Sequence, residues 1–190
     1  MEIGIWGDSI TYGQCDLAGL GWVGRLRVSL LESNIRIYNF GVCGDTTNEL
    51  LKRFSVEADS IGPDIILFAI GINDSKFSRG ETESKVPLKV FKENIGELLD
   101  LAKEYTTKIY IISATKTDDA FARSSGTRFL NETIEIYNTS LREIAVIHNI
   151  PFIDVFNLLN PETDLVDGLH PNAQGYEKMF NTITTIVTLS

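Results

Sequence analysis

The sequence predicts an α/β fold, with helices packed around a five-stranded parallel sheet, and three observations lead there. Short β-branched runs alternate with longer helical patterns from end to end, which is the rhythm of βαβ units around a parallel sheet. The helical stretches carry apolar residues at the period of one buried face. A length of 190 residues with 43 % apolar and 23 % charged content suits a globular domain with one sizeable core. No repeat, low-complexity tract or linker interrupts it, so residues 1–190 are expected to form a single domain.

The first strand is expected over residues 2–7, "EIGIWG", and it ends abruptly in Gly7, Asp8 and Ser9. The others fall on 35–40 ("IRIYNF"), 64–71 ("DIILFAIG"), 108–114 ("KIYIISA") and 151–155 ("PFIDV"). Between the third and fourth, Phe91, Ile95, Leu98, Ala102 and Tyr105 recur on one helical face; between the fourth and fifth, Leu130, Ile134, Tyr137, Leu141 and Ile144 do the same. The last helix opens at Asn172, a good N-cap, and runs through Tyr176 and Phe180 towards Ile186. Two connections are long, "NDSKFSRGETESKVP" after the third strand and "TKTDDAFARSSGT" after the fourth. Long loops on a compact α/β domain are usually the functional ones.

Composition narrows the partners. The formal charge of −9, from 17 basic and 26 acidic residues, repels phosphate backbones and anionic membrane surfaces, and no Lys/Arg cluster overcomes this locally. Nucleic acid is not an expected partner. The segment "MEIGIWGDS" has no basic region and carries Glu2 and Asp8 where a signal peptide would be apolar. The longest apolar stretch, around "DIILFAIGI", is too short to span a bilayer. Cys15 and Cys43 make no metal motif and no disulfide framework; a reduced, cytoplasmic compartment suits them best, with a single bridge between them left open. Oligomeric state is not legible.

Open parallel sheets bind ligands beyond the carboxyl ends of their strands. The first strand delivers Asp8 and Ser9 there; the second runs into "NFGVCGDTT", with Gly41 and Gly44; the third runs into "GINDS", with Asn73 and Asp74. The fifth is followed by "VDGLHPNAQGY", with Asp167 and His170. A serine hydroxyl is a poor nucleophile at neutral pH without a neighbouring base. Asp167 and His170 are three apart, so one tight turn lets the carboxylate hold the imidazole Nδ1–H while Nε2 points towards an incoming hydroxyl. An oxyanion also needs donors that do not titrate, and a glycine N–H at Gly44 and the amide of Asn73 fit.

With these residues in hand, the chain resembles the SGNH hydrolases of the GDSL lipase/acylhydrolase superfamily. The four blocks of that family appear in order as "GDSIT", "NFGVCGDTT", "GIND" and "DGLHP", and the resemblance covers essentially the whole chain. It implies a three-layer α/β/α sandwich of flavodoxin-like type. By position it also implies Ser9 as nucleophile and oxyanion donor through its N–H, Gly44 as backbone donor and Asn73 as side-chain donor. His170 becomes the general base and then acid, oriented by Asp167. One departure is Ile10 in place of leucine, an apolar swap. Another is Cys43, where a small residue is expected; it would narrow the pocket.

The expected activity is that of a serine esterase cleaving a small or medium acyl ester or thioester through an acyl-enzyme. The absence of G-x-S-x-G argues against an α/β-hydrolase elbow. A carbohydrate O-acetyl esterase would use the same residues with a more polar pocket, and a non-catalytic module holding an acylated ligand is the alternative of another class. Residues 74–87 and 115–127, with Lys76, Phe77, Arg79, Lys116, Phe121 and Arg123, are expected to shape the pockets. One of the cations there would meet a substrate carboxylate or phosphate if it is not merely solvated.

Other patterns read as structure. Taken alone, Ser9 would pass for a helix cap and His170 for a loop residue that helps start the last helix. Asp74 is expected to be structural, and His148, at the end of its helix stripe, to be packed or to cap. Gly19, Gly21 and Gly24, with Asp45 beyond, match dinucleotide-fingerprint spacing, but they follow the first strand only after a loop of some dozen residues, so they read as helix entry. A metal site built from Asp164, Asp167 and His170 is disfavoured because the other histidine is distant and no thiolate is near in sequence. The chemistry calls for no cofactor.

Overall fold

The structure, a computed structural model, describes residues 1–118 and 126–187. Five strands, β1 (Glu2–Gly7), β2 (Arg36–Gly41), β3 (Ile65–Ala69), β4 (Ile109–Ile112) and β5 (Phe152–Ile153), form one parallel sheet in the order β2-β1-β3-β4-β5. In that order the chain steps to one side of β1 and then to the other, which places a crevice at the carboxyl ends of β1 and β3. Ile5 lies in register with Asn39 of β2 and Leu67 of β3.

Alternation along the strands divides the core into two layers. Ile3, Ile5, Ile65, Leu67, Tyr110 and Ile112 pack with Trp22, Val23 and Leu26 of α2 (Gly21–Ser29) and with Tyr176, Met179 and Ile183 of the last helix (Ala173–Val187). Trp6, Ile66, Phe68, Ile109 and Ile111 face the other way. They pack on α3 (Thr47–Ile61), α5 (Leu88–Lys103) and α6 (Asn131–His148). Trp6 stacks on Phe40 with ring centroids 4.8 Å apart, and its indole N–H donates to Glu57 Oε2 at 2.9 Å, so its one polar atom is satisfied inside the layer.

The helices begin and end where the local chemistry directs. In α3, Thr46 and Glu49 make a capping box, and Gly62, at φ +56°, turns the chain out. Asn172 does open the last helix: its Oδ1 accepts from Gly175 N at 3.0 Å. The strands are shorter than the apolar runs. Gly71, at φ +135°, ends β3 early and starts the short α4 (Ile72–Ser75). After β4, Ala114 N donates to Asn138 Oδ1 and Asn138 Nδ2 donates to Ala114 O, so a side-chain amide replaces the ladder.

The two long loops meet, since Phe77 and Arg128 exchange backbone hydrogen bonds of 2.9 Å in both directions. Phe121 and Arg123 lie outside the described residues. No helix among the described residues is long and apolar enough to cross a membrane.

Candidate active site

Asp8 ends β1 and caps α1 (Ser9–Tyr12): its Oδ1 accepts from Ile10 N at 2.9 Å. Ser9 is therefore the first residue of a helical turn, and its amide has no intrahelical acceptor. Ser9 Oγ lies 2.9 Å from His170 Nε2, and His170 Nδ1 lies 2.7 Å from Asp167 Oδ2. A carboxylate only accepts, so Nδ1 carries a proton, and the geometry leaves Nε2 free to accept the Ser9 hydroxyl in the tautomer protonated at Nδ1 alone. The turn that makes this possible is local. Asp167 Oδ1 accepts the amides of Leu169 at 3.1 Å and His170 at 2.8 Å, and Gly168 supplies φ +76°. Burial pushes the Asp167 carboxyl up, but the amide and ring of His170 outweigh it and hold the group below the usual carboxylate range.

Around Ser9 the chain is drawn in tightly. A side chain at Gly41 would come 2.3 Å from Tyr12 N, so α1 can sit against the end of β2 only because Gly41 has none. Arg53 of α3 then joins the strand ends: it donates to the carbonyls of Gly7 (3.2 Å) and Phe40 (2.9 Å) and pairs with Asp45 and Glu57. Sequence reasoning missed Arg53, because one arginine in an amphipathic helix carries no signal of what its guanidinium reaches.

Gly44, at φ +87°, lines the cleft beside Ser9, and its N–H has no partner among the described residues. Asn73 is the second residue of α4; its Nδ2 donates to Asp45 O at 3.1 Å and its Oδ1 accepts from Lys76 Nζ at 2.9 Å. Asp74 is fully buried and accepts from Thr47 N and Oγ1, a structural role as the sequence suggested. Burial pushes Asp74 up to about 6; burial, with Asp74 and Asp45 nearby, pushes Asp8 up to about 7.

Ser9, Gly44, Asn73, Lys76 and His170, with Gln14, Thr127, Phe129 and Leu169, line an open cleft of about 260 Å³. All five sequence-chosen residues are brought together, since Asp167 joins through His170. Of the loop residues, Lys76 lines the cleft, whereas Lys116 sits over the Phe156 ring and Phe77 carries the Arg128 guanidinium. Cys43 is exposed and absent from the cleft lining, so it does not narrow the pocket.

Asp164, of the metal set that the sequence disfavoured, is held by Lys178 and Asn160 N and is not grouped with Asp167 and His170. A thiol is near in space, however: Cys15 Sγ donates to Asp167 Oδ2 at 3.9 Å, and the ligand atoms of Cys15, Asp167 and His170 lie within 4.8 Å of one another. These three are the described residues that could hold a metal ion. Both cysteines are free. Gly21 opens α2, its N–H donating to Asp16 Oδ2 at 2.9 Å, so the glycine-rich stretch is helix entry. His148 closes α6 and accepts from Lys103 Nζ at 2.8 Å, its Nδ1 facing the ammonium.

A parallel sheet of this order, with a hydrogen-bonded Ser–His–Asp line at its carboxyl edge, defines a hydrolase of the serine type. Residues 5–178 match the GDSL-like Lipase/Acylhydrolase family, and the chain belongs to it. It is a carboxylic ester hydrolase. The chain is 27 % identical to an arylesterase of Vibrio mimicus over 172 residues, covering 90 % of this chain and 80 % of that protein. It is 29 % identical to an isoamyl acetate-hydrolyzing esterase of Schizosaccharomyces pombe, covering 97 % and 74 %. Among solved structures, the lipase/acylhydrolase of Enterococcus faecalis superposes with a TM-score of 0.79 at 26 % identity, over 98 % of this chain and 94 % of that one. An acetylxylan esterase of Geobacillus stearothermophilus gives 0.80 at 20 % identity, over 98 % and 93 %, a likeness of fold.

Proposed function

We propose that Ser9 is the nucleophile, His170 the general base and then acid, and Asp167 the group that holds the imidazole in place. We propose further that the oxyanion is received by the N–H groups of Ser9 and Gly44 and by Asn73 Nδ2. The observation that carries this reading is the unbroken hydrogen-bond line from Ser9 Oγ through His170 to Asp167, opening on a cleft that Gly44 and Asn73 also line. Ser9 Oγ attacks the ester carbonyl and its proton passes to His170 Nε2. The imidazolium returns that proton to the departing alkoxide, leaving an acyl-serine and a free alcohol. Water, deprotonated by the same nitrogen, then attacks the acyl-serine; as the acyl–Oγ bond breaks, the imidazolium returns the proton to Ser9 Oγ and the carboxylic acid leaves.

The substrate we propose is a short-chain acyl ester. A cleft of about 260 Å³ is small for a long acyl chain, and the yeast relative is named for hydrolysing an acetate. Gln14 and Thr127 in the lining also favour, as a second reading, an acetyl group on a polar alcohol such as a sugar. We place the protein in the cytoplasm, a reading supported by its two free cysteines.

The test is hydrolysis of p-nitrophenyl esters from acetate to decanoate by the wild type and Ser9→Ala. Turnover by the wild type should peak at the short end and fall at least about a thousandfold in the variant. Comparable turnover by Ser9→Ala would overturn the serine assignment. Wild-type inactivity on every ester would favour a module that only binds acylated ligands.

A further inference from the structure

Lys76 stands out in the cleft because its ammonium bonds to no carboxylate among the described residues; Asp8, Asp74 and Glu49 act on it only from farther off. It is half-buried at the end of α4, and among the described residues it forms no ion pair. Long-stemmed ammonium groups on a protein surface normally reach water or a carboxylate, and burying one without either costs free energy. Here the one hydrogen bond that Nζ makes among the described residues goes to a neutral amide oxygen, Asn73 Oδ1, at 2.9 Å. The backbone beneath it is pinned as well: Lys76 O accepts from Lys85 N at 2.7 Å, and the next residue, Phe77, is in the two-way pairing with Arg128. A side chain that would otherwise sample many rotamers therefore leaves a fixed base.

The amide of Asn73 is constrained from both ends by partners of opposite kind. An ammonium can only donate, so Oδ1 must face Lys76; the Asp45 carbonyl can only accept, so Nδ2 must face Asp45. The planar group thus has one permitted orientation of the two that asparagine can adopt. Nδ2 has two N–H bonds, of which Asp45 O takes one, and the second has no partner among the described residues on a side chain that lines the cleft. The ammonium on the oxygen side also draws electron density through the amide and strengthens the remaining N–H as a donor.

We propose that Lys76 is a positioning residue for hydrolysis: it locks and polarises the Asn73 amide so that the free Nδ2–H meets the oxyanion. The inference rests on the reading of Asn73 as an oxyanion donor. Burial, with Lys85 nearby, outweighs the pull of Asp8, Asp74 and Glu49 and holds the Lys76 ammonium below the usual lysine range, which accords with a group placed for its neighbour and not for solvent.

The test is a double-mutant cycle on p-nitrophenyl acetate with wild type, Lys76→Met, Asn73→Ala and the double variant, each checked for an intact thermal transition. Lys76→Met keeps the stem and removes the donor; kcat should fall about tenfold with KM within about twofold, because an oxyanion interaction is made only in the transition state. Lys76→Arg, which can still donate to Oδ1, should recover most of the loss. In the Asn73→Ala background the lysine substitution should add little. A loss confined to KM, or an undiminished tenfold loss when Asn73 is already alanine, would overturn the inference while leaving Asn73 in its role. Unchanged kcat in Asn73→Ala would instead remove the donor reading and the inference together.

Discussion

At the scale of single residues the site depends on how few groups are asked to titrate. Asn73 and the two backbone N–H groups proposed as oxyanion donors are neutral, so their hydrogen bonds are indifferent to pH, and on that proposal Asn73→Ala should lower kcat by about a hundred- to a thousandfold. Single-turnover kinetics would check it. Asp8 behaves differently: burial raises its folded value to about 7 against 3.8 unfolded. Below pH 3.8 the carboxyl is neutral in both states; between 3.8 and about 7 the folded protein holds a proton that the unfolded chain has released. Stability is thus fullest on the acid side and is lost as pH rises through about 7, by a margin on the order of a few kcal/mol. Asp8→Asn keeps the helix cap and removes the charge, so it should raise the unfolding midpoint more at pH 8 than at pH 5. Equal shifts at both values would contradict a buried, protonated Asp8.

At the scale of elements, Ser9, the proposed nucleophile, is placed by the fit of one helical turn between two strand ends. Gly41→Ala would drive a methyl group into the backbone of Tyr12, and we expect a loss of about 1–3 kcal/mol in urea unfolding together with a lower kcat, because α1 carries Ser9. Gly44→Ala meets no neighbouring side chain or strand within 4 Å, yet its φ of +87° presses any Cβ against its own backbone at about 1–2 kcal/mol, so stability should fall without a clash elsewhere. Arg53→Met removes the donor shared by Asp45, Glu57 and the carbonyls of Gly7 and Phe40; Gly7 O keeps Val42 N and Glu57 keeps the Trp6 indole, so a cost of about 3 kcal/mol follows chiefly from leaving the Asp45 carboxylate without its cation. Arg53→Lys should restore little, since one ammonium cannot reproduce the fork.

Across the whole molecule, the sheet order ranks the strands. β1 and β3 are paired on both sides and covered by both core layers, whereas β2 and β5 are edges, and β5 is only two residues long. Native-state hydrogen exchange should accordingly find the amides of Ile5 and Leu67 among the slowest and those of Ile153 and Tyr38 faster. Comparable protection of edge and centre would mean that the two layers open as one unit.

Much was legible in advance. The alternation of β-branched runs with helical stripes determined a parallel α/β sheet, because those periods follow from backbone geometry alone. The carboxyl-edge rule then gathered Ser9, Gly44, Asn73, Asp167 and His170 from four separate segments, since each follows a strand or its return. Asp167 and His170 needed no more than a local turn, and Asn172 no more than a cap. Strand ends were less legible: whether Ala114 continues a ladder or bonds to Asn138 depends on a side chain 24 residues away. Arg53 beneath the strand ends, Cys15 beside Asp167 and Lys76 against Asn73 were decided only by the tertiary structure. Their partners are fixed by where whole elements pack, and a charge or a thiol in one-dimensional order does not say what its far end will touch.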